Sequence, residues 1–461
     1  MTTLSRRYVL DPMAVLVDDL LIGGTPLTLL RLTDAGRDTV EQIRSGEPVG
    51  HGRLLERLLA TGIATPLPDN RPITPRSTAI VTPTFGLPRY PTAPGTVVVD
   101  DGSTPPVDGA TVRNERNLGP AAARNRGWRA VLDERPDTEL FVFLDADVDT
   151  RMSRHGDGEW WEPLLAHFDD RSVGLVAPRV RAPAGGSSIT GRAERAAPAL
   201  DLGPDGGRVA PNARITYAPS AAIVVRASAL VDIGGFDETL RTGEDVDLVW
   251  RLHEQGWVCV YEPGVTVEHA ARPSLAGWLA QRLSYGRSAA ALATRHGAAV
   301  APWRTSPWGV AVVGALSFAL ARRRPRVLLP ALITATTTIV ATLNLARRID
   351  GLPRSNAGRI VGRGLLRSTA AALSAIRRCW WPLLLPILAI SRTTRRLTVM
   401  AMLCAGHPAR LAADLAYGAG TALGAIEHRS ARALLPVLSA GRLAPRPTDT
   451  RLATDHSGTP R

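Results

Sequence analysis

The sequence predicts an α/β domain around a mostly parallel sheet, with a small winged-helix-like unit before it and a helical, membrane-associated region after it. Three observations predict it. Between Ser77 and about His269, β-branched runs alternate with helical patterns. The acidic residues crowd into the first 270 positions. Beyond them the chain is Ala, Leu and Arg with few carboxylates, a composition suited to an anionic membrane surface.

The chain has 461 residues, room for about three domains at roughly 150 residues each. Its 55 basic against 42 acidic residues give a net charge of +13, and every basic residue is Arg. With 42 Gly and 36 Pro the composition is of a high-GC type, so the charge argues little for a nucleic-acid partner. Cys259, Cys379 and Cys404 are far apart and form no CxxC, which excludes a disulfide framework and a cysteine zinc site. The amino terminus meets Asp11 and Pro12 before any long apolar run, so no signal peptide is expected and the catalytic part is placed in the cytoplasm.

Residues 1–65 read as short strands over Tyr8 to Asp18 and Asp19 to Gly23, followed by two helical patterns. Leu27, Leu30 and Leu32 and then Leu54, Leu55, Leu58 and Leu59 recur at near-helical spacing, and Thr33 with Asp34 can cap a helix over Ala35 to Ile43. The unit is either winged-helix-like or a packing extension of the next domain. Residues 66–76 hold four Pro in eleven positions and read as a linker. The α/β domain is placed at residues 77–296. Its strands are expected over Thr78 to Thr82, Thr96 to Val99, Leu140 to Leu144 and Val173 to Ala177, with helices over Ala121 to Leu132 and Trp160 to Phe168. Arg181 to Arg214 has little periodicity and reads as a long loop over a site.

Strands of an open α/β sheet deliver ligand-binding residues at their carboxyl ends. Val97-Val98-Val99 runs into Asp100-Asp101-Gly102-Ser103, where carboxylates can accept hydrogen bonds from a base or ribose. Phe141 to Leu144 runs into Asp145-Ala146-Asp147, whose alternate carboxylates can face one divalent cation, Mg²⁺ or Mn²⁺, or divide between metal and ribose. Glu244-Asp245 precede a helical run from Val246 to Leu252, so the helix dipole favours an ionised carboxylate there, able to act as a general base toward an alcohol. His269 ends a strand over Val265 to Val267 and is either structural or a further metal or phosphate ligand.

Together VVVDDGS, NLGPAAARNRG, FLDADVD and GGFDETLRTGEDVDLVWRL, in that order over residues 77–296, resemble the family 2 nucleotide-sugar glycosyltransferases of the GT-A fold. GPAAARN, VAPRV, LDLG, YAPSAAIVVRASAL and the basic apolar tail are similar to the glycosyltransferase family of the actinobacterial mycofactocin system. The resemblance implies a UDP-sugar donor, with glucose the expected sugar, and an acceptor that is the precursor of a peptide-derived redox cofactor. It implies no nucleic acid beyond the donor nucleotide. Carried across, Asp100 and Asp101 belong to the donor site with Asp101 on uracil, Arg124 and Asn125 shape the nucleotide pocket, and Asp145 and Asp147 hold ribose and metal. Asp245, beside Glu244, becomes the acceptor's base, while Trp278, Gln281 and Arg282 fall at acceptor or pyrophosphate contacts. The sequence lacks the QxxRW run of processive synthases, which implies a short, distributive product. Only FGLPRYPTAPG and Thr96 separate the first two strands, so the family's crossover helix is expected to be missing and one sheet face under-covered. A rival within the class is a cell-envelope glycan transferase with a lipid-linked acceptor. A rival outside it is a non-catalytic peptide-binding adaptor.

In residues 297–440, Trp308 to Ala321 is a 14-residue apolar run, about 21 Å as a helix, short of a hydrocarbon core of roughly 30 Å. Val327 to Ala346 is long enough, but Arg322, Arg323, Arg324 and Arg326 precede it and Arg347 and Arg348 follow. Basic flanks at both ends fit a monotopic or re-entrant hairpin on the cytoplasmic membrane face better than a simple span. Trp380 to Ile390 is shorter still and suits an interface, and residues 441–461 read as disordered.

Overall fold

The computed structural model describes residues 6–24, 27–50, 52–67, 76–86, 92–151, 158–185, 187–321, 328–349 and 351–439. The amino-terminal unit contains β1 (Tyr8–Leu10), β2 (Val15–Val17), β3 (Leu20–Gly23), β4 (Thr28–Arg31), α1 (Asp34–Ser45), α2 (Arg53–Ala60) and β5 (Ala64–Pro66). Strands β2, β3 and β4 form an antiparallel sheet, and β1 pairs with β5. Thr33 caps α1 by accepting from the Gly36 N–H at 3.2 Å. The helical reading of Leu27, Leu30 and Leu32 is corrected: Leu30 and Leu32 are both buried and two residues apart, the period of a strand, and β4 forms there. Leu20 and Ile22 pack on Leu352 and Ala357 of the carboxyl-terminal helices. Most of the Pro-rich linker lies outside the described residues.

The α/β domain follows with β6 (Thr78–Thr84), β7 (Val97–Asp100), β8 (Val112–Arg113), α3 (Pro120–Glu134), β9 (Leu140–Leu144), β10 (Val148–Asp149), a 3₁₀ helix (Glu162–Asp169) and β11 (Val173–Arg181). It continues with α4 (Ile189–Ala196), β12 (Gly207–Val209), β13 (Ala222–Arg226), α5 (Ala227–Asp232), α6 (Glu244–Glu254), β14 (Val258–His269) and α7 (Leu275–His296). The sheet runs β10-β14-β11-β13-β9-β6-β7-β8, with β12 on β14. It is mixed, which corrects the mostly parallel expectation: β13 enters antiparallel to both β9 and β11, and β10 and β12 lie antiparallel to β14. Phe141 and Phe143 of β9 pack into one core and Leu140 and Val142 into another, because both faces of this central strand are covered.

Strands β6 and β7 pair in parallel, Val81 opposite Val97, with no helix among the described residues between them. The sheet is nevertheless covered there, because α3 lies on β6 and β7 at Gly127, where a Cβ would sit 2.4 Å from Val81 Cγ1 and 2.9 Å from Val99 Cγ2. The segment Arg181 to Arg214 is not a plain loop either. It contains α4, whose Ala193 is buried against Trp278, and β12.

The carboxyl-terminal region comprises β15 (Arg304–Thr305), α8 (Pro307–Ala321), α9 (Leu328–Arg348), α10 (Arg354–Ala375), a π-turn (Ile376–Trp380), α11 (Trp381–Ile390), α12 (Arg392–Leu403), α13 (Pro408–Glu427) and β16 (Val437–Leu438). Leu328–Arg348 and Arg354–Ile390 are long and apolar enough to cross a membrane, and only 17% of each apolar window is buried. Helix α13 differs from them, because glycines seat it directly on α7. A Cβ on Gly420 would lie 2.0 Å from the Leu283 carbonyl, and one on Gly286 1.9 Å from that of Tyr417. Close packing of α13 on α7 thus crosses the expected boundary at residue 296. The terminal segment 441–461 lies outside the described residues.

Candidate active site

Two cavities meet at the carboxyl edge of the central strands. The smaller, about 390 Å³, is lined by Thr84, Asp101, Asn117, Gly119, Asp147 and Arg241 among others. The larger, about 1240 Å³, is lined by Ser220, Glu244, Asp245, His269, Gln281 and Arg282, and by residues of the carboxyl-terminal helices. Pro120, Arg124, Asp145 and Arg241 border both.

At the end of β7 the chain turns sharply at Gly102, whose φ of 78° and closeness to the Arg116 backbone, 2.4 Å from an added Cβ, exclude other residues. Asp101 fixes the approach to α3 by accepting from Asn114 Nδ2 at 2.7 Å and from the N–H groups of Leu118 and Gly119 at 2.9 and 2.8 Å. Two donor-site expectations are corrected. Asp100 is fully buried and accepts from the Ser103 and Val107 N–H groups and from Arg113, so it shapes the loop and lines neither cavity. Burial alone would raise its pKa, but those hydrogen bonds and the Arg113 charge hold it below the usual carboxylate range. Asn125 is likewise buried, donating to the Phe236 carbonyl and to Glu238 while accepting from Trp128 and the Phe236 N–H, so it ties α3 to the Gly234–Glu238 turn.

Asp145, Asp147 and His269 form a cluster that could hold a metal ion, with one ligand atom of each lying within 4.8 Å of the others. The register of β10 on β14, Val148 opposite His269, brings Asp147 to that histidine, and His269 Nε2 lies 3.2 Å from Asp147 Oδ1. Burial opposes ionisation of both, yet their mutual contact prevails: Asp147 is held below its ordinary value and His269 above. Two hard carboxylates and an imidazole suit Mg²⁺ or Mn²⁺.

Arg124 links this cluster to the other carboxylates. Only 2% exposed, it donates to Asp145 Oδ1 at 2.6 Å and to Glu244 Oε1 at 3.1 Å. Gly243, at φ 84°, turns the chain into α6 with no room for a side chain beside Ser288. Glu244 and Asp245 thus occupy the first turn, Asp245 accepting from the Val246 N–H at 2.8 Å. Burial and then the Asp245 charge push Glu244 up from 4.5 to about 7 against the pull of Arg124, and burial raises Asp245 as well. At neutral pH the pair therefore sits near its titration range, where one carboxylate can accept a proton.

Trp278 is completely buried and donates to Glu194 Oε2 at 2.8 Å, so its expected acceptor contact is corrected to a structural one that seats α4 on α7. Arg282 shares that Glu194 oxygen at 2.6 Å but does border the larger cavity. Sequence reasoning missed Arg241 and Arg272, which border the cavities beside the metal cluster, and Tyr217 and Tyr285, which face Asp245. Arg241 stands three residues before Glu244 and was within reach of the motif. The tyrosines carry no spacing signal.

The profile of glycosyl transferase family group 2 matches residues 157–405. Two pre-mycofactocin glycosyltransferases of Mycobacterium tuberculosis, from strains CDC 1551 / Oshkosh and ATCC 25618 / H37Rv, are each 34% identical over 468 residues, covering 90% of this chain and 94% of theirs. The chain belongs to this glycosyltransferase family. It is a family 2 glycosyltransferase. Among solved structures, a mannosyltransferase from Pyrobaculum calidifontis in complex with GDP-Man and Mn²⁺ is 17% identical, covering 78% of this chain and 89% of its own, at a TM-score of 0.40. Residues 1–349 of S. aureus TarS in complex with UDP are 14% identical, covering 72% and 92%, at 0.35.

Proposed function

We propose that this glycosyltransferase transfers glucose from UDP-glucose to a pre-mycofactocin acceptor with inversion at the anomeric carbon. The observation that carries the reading is Arg124, which stands where the two cavities meet and joins Asp145 of the Asp145–Asp147–His269 cluster to Glu244 beside Asp245. An inverting displacement needs this division: negative charge gathers on the departing diphosphate while the attacking hydroxyl sheds a proton on the opposite face of the sugar.

Asp145, Asp147 and His269 would hold the divalent cation, which when bound neutralises charge on the diphosphate. Arg241 and Arg272 add positive charge beside the same cluster. Asp245 accepts the acceptor's hydroxyl proton as the oxygen bonds to the anomeric carbon and the bond to the diphosphate breaks, with UDP leaving. Arg124, buried and paired to both, orients Asp145 and Glu244. The uridine and glucose assignments are supported by VVVDDGS and FLDADVD, and the acceptor by the relatives' names.

Residues 303–405 hold the enzyme to the cytoplasmic membrane face in this reading. Arg354–Ile390 carries Arg377 and Arg378, which border the larger cavity beside the catalytic carboxylates, so this helix serves an interfacial position better than a transmembrane one. The test is incubation of the full chain with UDP-glucose, Mn²⁺ and pre-mycofactocin, followed by mass spectrometry and NMR of the product. A hexose joined in β configuration is expected. An α linkage, or no transfer from UDP-glucose, overturns the reading.

A further inference from the structure

Helix α7 ends in Arg295 and His296, which reach to either side, along the chain, of the Arg241–Asp245 stretch that borders the larger cavity. Before that stretch, Arg295 Nε donates to Asp237 Oδ2 at 2.8 Å and its Nη2 to Thr239 Oγ1 at 2.5 Å. After it, His296 Nε2 lies 2.9 Å from Asp247 Oδ1 and Nδ1 lies 3.2 Å from Glu254 Oε1. Between the two prongs, Thr242 Oγ1 and Ser284 Oγ of α7 are 2.8 Å apart, and a Cβ on Gly243 would sit 3.0 Å from Ser288 Oγ.

Asp247 is the buried centre of this arrangement. Only 1% of its side chain is exposed, and it also accepts from Arg251 Nε at 2.6 Å. Arg251 in turn donates to the Ile233 and Gly235 carbonyls, both at 2.8 Å, so Asp247 ties α6 to the turn that precedes it. Trp250 of the same helix meets the His296 ring at 84° with centroids 5.0 Å apart, and its indole donates to the Thr216 carbonyl at the cavity wall, at 2.6 Å. The His296 side chain is 4% exposed and is faced by the Asp247 and Glu254 carboxylates, with Arg251 behind Asp247. A neutral imidazole has one N–H and can donate to one of these carboxylates, whereas the imidazolium donates to both. Burial opposes the charge, but the two contacts outweigh it and raise His296 above its ordinary value.

We propose that Arg295 and His296 are positioning residues for the transfer, clamping residues 237–254 onto α7 so that Asp245 is held in place against the acceptor, with the His296 contact complete only while its ring carries both protons. Asp237, Asp247, Arg295 and His296 border neither cavity, so the clamp acts through Asp245 and touches no substrate. Helix α7 also presents Gln281, Ser284, Tyr285 and Ser288 to the larger cavity, and fastening α6 to it sets the carboxylate against that wall. Misplacement of a reacting group by about 1 Å can cost on the order of a hundredfold in rate. The inference rests on the reading of Asp245 as the base.

The test measures kcat and KM of the full chain with UDP-glucose, Mn²⁺ and pre-mycofactocin from about pH 6 to about pH 9, at a temperature where every variant is folded by circular dichroism. His296→Gln and Arg295→Gln should each lower kcat at least tenfold on the acidic side of that range, while KM for UDP-glucose stays within twofold. Wild-type kcat should fall as rising pH takes the second proton from His296, and His296→Gln should lack that fall. Glu254→Gln, at a side chain 57% exposed that raises no question of folding, should move the fall to lower pH, because it removes one of the two carboxylates that favour the imidazolium. A purely structural role would change Tm and leave kcat per folded molecule, and its pH dependence, as in wild type. A kcat within twofold of wild type in both His296→Gln and Arg295→Gln, or one pH profile shared by wild type, His296→Gln and Glu254→Gln, would overturn the clamp. Asp245→Asn, assayed alongside, keeps the two claims apart. Normal transfer by that variant removes the base assignment on which the clamp rests; its inactivity, together with unaltered clamp variants, removes the clamp alone.

Discussion

Replacing Glu244 by Gln should move the acidic limb of the pH–rate profile without destroying the site. The Gln amide oxygen can still accept from Arg124 Nη1, 3.1 Å from the present carboxylate oxygen, so the link between α6 and α3 is kept while one negative charge goes. Glu244 is raised from 4.5 to about 7 by burial first and by the Asp245 charge second. Coulomb repulsion is mutual, so removing the Glu244 charge eases ionisation of Asp245 and extends its ionised range downward. With saturating donor, kcat should therefore hold to lower pH in the variant than in wild type. The sign for stability follows from the same group: a carboxyl raised in the folded state stabilises it fully below the unfolded value near 4.5, and that contribution is lost as pH rises through about 7. The variant should accordingly lose less stability between pH 5 and pH 8, a range set by those two values. An unmoved acidic limb, or activity lost at every pH in a folded variant, would refute the reasoning and point to Glu244 as the base.

Gly286→Ala should separate α7 from α13, since its Cβ would sit 1.9 Å from the Tyr417 carbonyl; overpacking costs typically ~1–3 kcal/mol, and thermal unfolding should show it beside Gly314→Ala, where nothing lies within 4 Å and no loss is expected. His296 bonds Asp247 at 2.9 Å and Glu254 at 3.2 Å against the edge of Trp250, and these contacts outweigh burial to raise its pKa above 6.5. Its contribution is full below 6.5 and lost as pH rises through the higher folded value, so wild type should lose a few degrees of Tm more than His296→Gln across that window.

The parts of the site legible in the sequence are those where strand ends carry carboxylates. Asp145 and Asp147 sit after an apolar run whose period fixes where they emerge, Asp245 sits just before a helical run, and β9 forms over the expected Leu140–Leu144. The same logic misplaced Asp100 and Asn125, because a polar residue in a motif can serve the loop as well as the ligand, and only the hydrogen-bond partners decide. The mixed sheet was hidden for a related reason. Nothing in the local pattern of Ala222–Arg226 fixes the direction in which β13 inserts between its neighbours. The carboxyl-terminal wall of the larger cavity was hidden most completely: nothing in the local pattern marks Gly420 and Gly424 of α13 as points of contact with α7. Trp278, placed by analogy at the acceptor, is held instead by Glu194, a residue in a segment whose low periodicity concealed α4.

The central claim is the division of labour between the metal cluster and the helix-start carboxylate, and calorimetric titration of UDP with Mn²⁺, paired with product assays, tests it most directly. Asp245→Asn should abolish transfer while binding UDP and Mn²⁺ as wild type does, because Asp245 borders the larger cavity and stands outside the Asp145–Asp147–His269 cluster. Asp147→Asn should weaken metal-dependent UDP binding as well as transfer, since it removes a carboxylate from that cluster and a partner from His269 at 3.2 Å. Near-normal transfer by a folded Asp245 variant, or unaltered Mn²⁺-dependent UDP binding by the Asp147 variant, would contradict the account.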